Sequence, residues 1–296
     1  MLRLALLCCS FIIGFTACTA NAKKNKNGEI RHGKSLLWRI SGNGLDKPSY
    51  LLGTIHVICK DDYIWTDSMQ KALDNTQKIC FEMDMDDPSL QMKVATGLLI
   101  NDGKTLEDYY TPEEYRRLSA HLQDSLGIPA MFVNKMKPVA LSALLATRLV
   151  SCAMPESYEG NIMKLAQKQN KEIVGLETPE DQIAVFDKMN ADSAASGLLD
   201  AIDHPDSMKV GFDKLLTAYK AQDLAAMYRL IIESPDMKGA DLNDFLFNRN
   251  KNWIPGIAAL IKKEPVFIAV GAGHLWGDEG VISLLRKAGY TVEPVQ

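Results

Sequence analysis

Residues 265–275 read PVFIAVGAGHL, an apolar run that passes directly into glycines and a histidine. The run over 265–271 has no charged residue, which is typical of a short strand that is buried on both faces of a sheet. Residues 50–57, YLLGTIHV, repeat this arrangement near the other end of the chain. Each segment carries the motif G-x-x-H at the carboxyl end of a predicted strand. The two motifs can form one site only if the N- and C-terminal strands lie in the same sheet.

Strand and helix patterns alternate at both ends of the chain. Residues 36–57 are predicted to form a β-hairpin, followed by a helix over 67–78 and a short strand over 79–83. A strand–helix–strand passage of this length is typical of a crossover between parallel strands. Residues 265–296 again show a strand, a helix and a strand. The pattern predicts an α/β fold with a mixed sheet formed by the N- and C-terminal strands.

The middle of the chain is mostly helical in pattern. Capped helices are predicted to begin after Thr111 and Thr178, and residues 171–177 are a strand candidate. Breaks in the helices are expected near three prolines: Pro205, Pro235 and Pro255. The sequence therefore predicts a large helical insertion, roughly 88–170 and 183–262, that covers the strand ends and shapes access to them.

Composition limits the class of protein. The chain has 296 residues, of which 47% are hydrophobic and 24% are charged, values close to those of soluble globular proteins. The net charge of −4 gives no basic footprint, so a nucleic-acid partner is not expected. Beyond the N-terminus, no apolar stretch has the roughly 18 residues that a membrane-spanning helix needs.

The N-terminus has the pattern of an export signal. Residues 1–17 contain a basic position, an apolar core and small residues before Cys18, and they resemble a lipoprotein-type signal peptide. Cys18 would then carry lipid and anchor the protein in the membrane of a bacterial cell envelope. Ordinary signal cleavage after residues 20–22 is the alternative. Residues 18–34 are polar and predict a flexible tether, which leaves 35–296 as the folded domain.

Export would place the remaining cysteines in an oxidising compartment. Cys59, Cys80 and Cys152 stay in the mature chain. Such a compartment permits one disulfide, with Cys59–Cys80 as the candidate pair, and three buried free thiols are an equally open alternative. There is no C-x-x-C motif that would indicate a structural zinc site or a redox site.

Two histidines and one acid are the candidate chemical groups. His56 and His274 follow predicted strands, and Glu82 lies within the apolar segment ICFEM, where an acid is costly to bury unless it is paired or binds a metal. Two imidazoles and one carboxylate are typical of a catalytic divalent metal with an open water position. The alternative is that these histidines are structural and that Glu82 forms a salt bridge. Glycines expected to allow close approach at these motifs are Gly53, Gly271 and Gly273.

These residues resemble the TraB/GumN/TIKI family over about residues 36–295. The matching segments are 50–57, 81–84, 137–141, 175–178 with Gln182, 249–250 with Trp253, and 270–275 followed by 280–281. Animal TIKI proteins are described as metal-dependent proteases that use Mn or Co and cleave the N-terminus of a secreted signalling protein. The resemblance implies that His56 and His274 are metal ligands and that Glu82 is a ligand or a general base. A thiolate ligand from Cys59 would instead favour Zn.

The resemblance adds three further site candidates. Arg249 would either keep Glu82 ionised or stabilise an oxyanion, and the alternative is a salt bridge at the rim of the site. Glu177 is a weaker candidate, because it could simply cap the helix that follows Thr178. Asn250 belongs to the same matching segment as Arg249.

Three functions remain open from the sequence. The first is a divalent-metal-dependent hydrolase, most simply a peptidase with a peptide or protein substrate, anchored in the cell envelope. The second is a non-enzymatic lipoprotein that binds a peptide or a glycan. The third is a metal-free hydrolase in which one histidine activates water directly.

Overall fold

The computed structural model describes most of the predicted folded domain. The described residues are 34–150, 152–234 and 242–296. The predicted signal peptide over 1–17, the lipidation candidate Cys18 and the predicted tether up to residue 33 lie outside the described residues, as does Pro235. Within the described ranges, no helix is long and apolar enough to cross a membrane.

Short strands and helices follow one another along the chain. The strands are β1 (Leu37–Ser41), β2 (Ser49–Thr54), β3 (Ile58–Cys59), β4 (Lys78–Phe81), β5 (Pro155–Glu156), β6 (Glu172–Gly175), β7 (Val266–Gly271) and β8 (Thr291–Val295). The α-helices are α1 (Asp67–Asp74), α2 (Leu90–Gly97), α3 (Pro112–Leu126), α4 (Pro138–Ala146), α5 (Tyr158–Lys168), α6 (Pro179–Lys188), α7 (Ala191–Asp203), α8 (Pro205–Lys220), α9 (Leu224–Ile232), α10 (Asn248–Ile261) and α11 (Val281–Lys287). A π-helical turn over Asn243–Phe247 leads into α10, and a 3-10 turn over Ala272–His274 follows β7.

Six of the eight strands in the described residues form a mixed sheet in the order β6-β4-β7-β2-β1-β8, and β3 and β5 form a separate two-stranded sheet. β7 is parallel to both β2 and β4, whereas β1 is antiparallel to β2 and β8. The predicted α/β fold, with a mixed sheet of N- and C-terminal strands, is therefore confirmed. β2 and β4 are parallel, as predicted, but they are not neighbours, because the C-terminal strand β7 inserts between them.

The position of β7 follows from its composition. Every residue of this strand is buried, and Phe267 and Ile268 have no exposed surface. A strand this apolar is stable only where helices cover both faces of the sheet and other strands pair with both edges. Burying each large apolar side chain contributes about 1.5–3 kcal/mol, so the centre of the sheet is the favoured place for this segment.

The helix starts agree with the capping residues. Thr111 and Glu114 form a capping box at the start of α3, and Thr178 and Asp181 form another at the start of α6. The helix predicted over 67–78 ends earlier, at Asp74, because the chain turns and Lys78 begins β4.

The prolines do not all break helices. Pro205 occupies the first turn of α8, where its missing N–H is not needed. Pro255, however, lies inside α10, so the predicted break at this position is wrong. A proline in a helix interior costs about 3 kcal/mol. Trp253 and Ile257, which are buried on either side of it in the chain, offset that cost by packing into the core.

The disulfide joins Cys59 to Cys152, with their Cα atoms 5.9 Å apart, and Cys80 is a buried free thiol. The predicted pairing of Cys59 with Cys80 is therefore wrong. Cys80 lies in the middle of β4, inside the main sheet, whereas Cys59 lies in the small antiparallel ribbon of β3 and β5. The ribbon places Cys59 beside Pro155, three residues from Cys152.

Candidate active site

The carboxyl ends of the parallel strands β2, β4, β6 and β7 meet at one edge of the sheet, where open α/β sheets place their ligands. His56 follows β2, Glu82 follows β4, Glu177 follows β6, and His274 lies in the turn after β7. Groups that are far apart in sequence are thereby brought to one edge.

Gly53 allows the two motifs to approach each other. A Cβ atom at this position would lie 3.0 Å from Leu275 Cδ2 and 3.1 Å from Ala272 Cα, closer than real Cβ contacts normally are. The expectation of a close approach at the first motif glycine is confirmed by this packing.

Glu82 is a buried carboxylate with a partner on each oxygen. Oε1 accepts a hydrogen bond of 2.8 Å from the backbone N–H of Gly271, and Oε2 accepts one of 2.7 Å from Arg249 Nη2. Burial by itself would raise the pKa of Glu82, but the charge of Arg249, helped by the hydrogen bond from the backbone of Gly271, outweighs burial and lowers the pKa to about 2. Glu82 is therefore ionised at neutral pH.

Arg249 joins two carboxylates. Besides Glu82, it binds Glu177 through Nε to Oε2 at 3.0 Å and through Nη2 to Oε1 at 2.5 Å. Trp253 Nε1 also donates to Oε2 of Glu177, at 3.0 Å. Both ion pairs are buried, so the alternative of a salt bridge at the rim is wrong. Glu177 does not cap α6 either, because Thr178 is the N-cap and forms the capping box with Asp181.

His274 has no exposed surface. Its Nδ1 lies 2.6 Å from Asn250 Oδ1, and the Nδ2 of Asn250 donates to two backbone carbonyls, so Oδ1 must accept the proton of Nδ1. Nε2 therefore carries the lone pair, and it faces Arg249 Nη1 at 3.3 Å and Glu82 Oε1 at 3.9 Å. Burial is the main cause that lowers the pKa of His274 to about 3, and the charge of Arg249 adds to it against the opposing charge of Glu82. His274 is neutral at pH 7.

His56 has a carboxylate partner instead. Its Nδ1 lies 3.1 Å from Glu159 Oε1, which also accepts a 2.7 Å hydrogen bond from Thr54 Oγ1. The second oxygen, Oε2, accepts from Ser157 Oγ at 3.2 Å. Burial lowers the pKa of His56, but the charge of Glu159 and its hydrogen bond outweigh burial and raise the pKa to about 8.

Glu159 was not among the residues predicted from the sequence. It is an acid in the first turn of α5, two residues after the helix cap Ser157. In sequence, such an acid is typical of ordinary helix capping, and nothing local distinguishes it from the exposed acids at other helix starts. Its burial is a tertiary feature, and only 5% of its surface is exposed.

The two histidines share one arrangement. In each ring, Nδ1 is held by a side-chain oxygen, so a neutral ring with its proton on Nδ1 presents the lone pair on Nε2. Histidines that ligate metals are almost always oriented in this way by a second group. The donor set of two imidazoles and one carboxylate fits a divalent ion such as Mn, Co or Zn. Within the described residues, no three His, Cys, Asp or Glu side chains already surround a common point.

Comparison with known proteins identifies the family of the chain. The model of the TraB/PrgY/gumN family matches residues 36–294. The chain belongs to this family. The resemblance drawn from the G-x-x-H motifs and the strand acid is thereby confirmed at the level of the family.

Animal members with the name metalloprotease are among the relatives. Metalloprotease TIKI2 of Danio rerio is 24% identical, over 98% of this chain and 67% of its own length. Metalloprotease TIKI1 of Homo sapiens is 23% identical, over 93% of this chain and 64% of its own length. An uncharacterized protein of Treponema pallidum (strain Nichols) is 24% identical, over 95% of this chain and 89% of its own length. The chain thus spans about three fifths to two thirds of the TIKI proteins it matches. No solved structure matches the chain.

Proposed function

We propose that the protein is a divalent-metal-dependent hydrolase that cleaves peptide bonds. One observation carries the proposal: His56 and His274 are each held at Nδ1 by a side-chain oxygen and lie at the same edge of the sheet as ionised Glu82. The relatives named metalloproteases support the same chemistry.

His56, His274 and Glu82 are the residues that would hold the ion, which we propose to be Mn, Co or Zn. A bound ion would lower the pKa of a water molecule and polarise the peptide carbonyl. Arg249 Nη1 now lies beside Nε2 of His274, so ligation by that nitrogen requires this contact to open. Arg249 has two carboxylate partners besides His274, and these can keep it in place when the contact opens.

The chain's own groups have separate tasks in this proposal. Arg249 keeps Glu82 ionised and presents a fixed positive charge at the site, where it can stabilise an oxyanion. Glu82 serves as the anionic ligand in this proposal, because Arg249 and its neighbours hold its pKa at about 2 and so keep the carboxylate ionised. A pKa this low makes Glu82 a weak base, so it is not the group that accepts a proton. Asn250 and Glu159 orient the rings of His274 and His56 through Nδ1.

We also propose that the protein is exported and anchored in a bacterial cell envelope by lipid on Cys18, with a peptide or protein substrate outside the membrane. The signal-like sequence over residues 1–18 supports export. The disulfide between Cys59 and Cys152 supports it independently, because such bonds persist in oxidising compartments.

Metal analysis of the purified protein tests the function. We expect about one Mn, Co or Zn ion per chain. We expect ion binding to be lost in His274→Ala, reduced in Glu82→Gln, and unchanged in the control His121→Ala.

Peptide cleavage should stop in excess chelator and return when the ion is restored. Full cleavage in chelator would overturn metal dependence and select the metal-free hydrolase. Peptide or glycan binding without cleavage, unaffected by chelator and by Glu82→Gln, would select the binding lipoprotein.

A further inference from the structure

A small cavity lies beside the two histidine motifs and has about 30 Å³ of interior space. Its floor is apolar and buried, and it is formed by Ala146, Phe212, Leu215 and Met227 from the helical insertion. This volume is the space open to the centres of water molecules, and one water needs roughly 10–15 Å³ of it. The cavity would therefore hold about two waters. Water is stable in a cavity only where several polar groups bind it. The polar residues of the lining are Thr54, His56 and Thr147, and both hydroxyls already donate elsewhere, to Glu159 and to the backbone carbonyl of Leu144.

Residues of both histidine motifs also line the cavity. His56 is one of these residues, with 11% of its side chain exposed, and the half-buried Val57 and Val150 form the rim of the cavity. Val57 lies two residues before Cys59, and Val150 lies two residues before Cys152. The disulfide between these cysteines therefore ties the two rim segments together next to His56.

We propose that this cavity is the specificity pocket for a small aliphatic side chain, the size of valine, next to the peptide bond that is cleaved. The proposal rests on the proposed function and names its substrate class. A group entering past His56 meets apolar atoms on the floor, so a charged side chain would lose its hydration without gaining a partner. An aromatic ring exceeds the space of about two waters, whereas a branched aliphatic group fills it.

Ligand binding without catalysis provides the first test. The full-length protein carrying ¹³C-methyl methionine is titrated with N-acetylvalinamide and, separately, with N-acetylphenylalaninamide. We expect the valine amide to shift the methyl signal of Met227, which lines the pocket, and to leave that of Met69, which is buried elsewhere. The phenylalanine amide should shift neither signal. An unmoved Met227 signal with the valine amide would overturn the pocket, whether or not any peptide is cleaved.

Size-changing variants provide the second test. Ala146→Leu fills the pocket and should weaken binding and cleavage of valine-containing peptides by about tenfold or more, since one methylene changes discrimination by roughly 10–200-fold. Ala143→Leu adds the same bulk on the same helix without lining the pocket, and it should leave the preference unchanged. Phe212→Ala enlarges the pocket and should admit the phenylalanine amide. Leu215→Val is a milder enlargement if that variant does not fold.

The outcomes separate the pocket from the proposed function. If Met227 responds to the valine amide but no peptide is cleaved with Mn, Co or Zn, the proposed function fails and the binding site stands. If peptides are cleaved and neither filling nor enlarging the pocket alters the preferred side chain, the pocket is wrong and the hydrolase stands.

Discussion

The two G-x-x-H motifs are alike in sequence and differ in electrostatic surroundings. His56 contacts the carboxylate of Glu159, which raises its pKa to about 8. His274 is held by the neutral amide of Asn250 and faces the cation of Arg249, and burial lowers its pKa to about 3. The same four-residue pattern thus yields one ring that is mostly protonated at pH 7 and one that is neutral.

The difference comes from partners that are distant in sequence. Glu159 lies on α5, and Arg249 and Asn250 lie on α10, so helices of the insertion determine the charge of each ring. A motif at a strand end positions a histidine, whereas its protonation depends on which helix packs over it. The charges of the two rings are thus controlled separately, and variants beside His56 and beside His274 can test this separation.

Removing the cation beside His274 should cause the largest loss in the free energy of unfolding. Arg249→Met leaves Glu82 and Glu177 buried without their partner, and breaking a buried pair destabilises a protein by about 3–5 kcal/mol. Urea denaturation should show this loss, while Arg116→Met, a change at an exposed pair, leaves the free energy of unfolding nearly unchanged. A cost for Arg249→Met no larger than that control would show that the buried ion pairs contribute little.

Removing the disulfide should lower the stability of the protein and change the surroundings of His56, while those of His274 stay as they are. Replacing Cys59 and Cys152 together by alanine should lower the free energy of unfolding by about 2–4 kcal/mol, because the unfolded chain regains conformational freedom. In NMR spectra of the folded variant, the ring signals of His56 should move, since the ribbon that leads into α5, the helix of Glu159, is no longer tied, and those of His274 should stay. Equal shifts at both rings would contradict the separation. Cys80→Ala is the control, because Cys80 is not in the disulfide.

The stability of the metal-free protein should have opposite pH dependence at the two rings. The pKa of His274 is lowered from 6.5 to about 3, so the unfolded chain binds more protons and stability falls as the pH drops below 6.5. The pKa of His56 is raised from 6.5 to about 8, so its contribution is present below pH 6.5 and is lost as the pH rises through 8. Each slope is at most about 1.4 kcal/mol per pH unit.

Urea denaturation in chelator at pH 5, 6.5 and 8.5 measures both slopes. His274→Gln should reduce the change in the free energy of unfolding between pH 5 and 6.5, apart from the contribution of carboxylates such as Glu82 that titrate at lower pH. His56→Gln should reduce the change in the free energy of unfolding between pH 6.5 and 8.5. The result that would contradict the assignment is a variant of one histidine that changes the slope expected for the other.

The smallest change acts on one ring only. Glu159→Gln removes a charge and keeps an oxygen for Nδ1, so the titration midpoint of His56 should fall from about 8 while His274 stays neutral. Ring NMR across pH 4–9 follows both rings in one sample. Thr54→Val removes only the hydroxyl that donates to Glu159 and should change the midpoint of His56 less. A midpoint that does not change in Glu159→Gln would show that Glu159 does not control the charge of His56.

Much of the architecture could be predicted from local patterns. The hairpin over 36–57, the buried run over 265–271 and the helix starts after Thr111 and Thr178 all carry their own periodicity or capping residues. The family could be identified from the G-x-x-H motifs and Glu82 together with the other short matching segments, which follow one another in a fixed order along the chain. These features depend on residues within a few positions of one another, and such signals are visible in one sequence.

Tertiary packing decided the rest. The insertion of β7 between β2 and β4, the pairing of Cys59 with Cys152 and the contact of Glu159 with His56 each join residues roughly a hundred or more positions apart. No periodicity links such positions, because the partner is selected by which surfaces are buried together. The sequence determined that histidines and an acid would end neighbouring strands, and only the packed helices determined which of them carry charge.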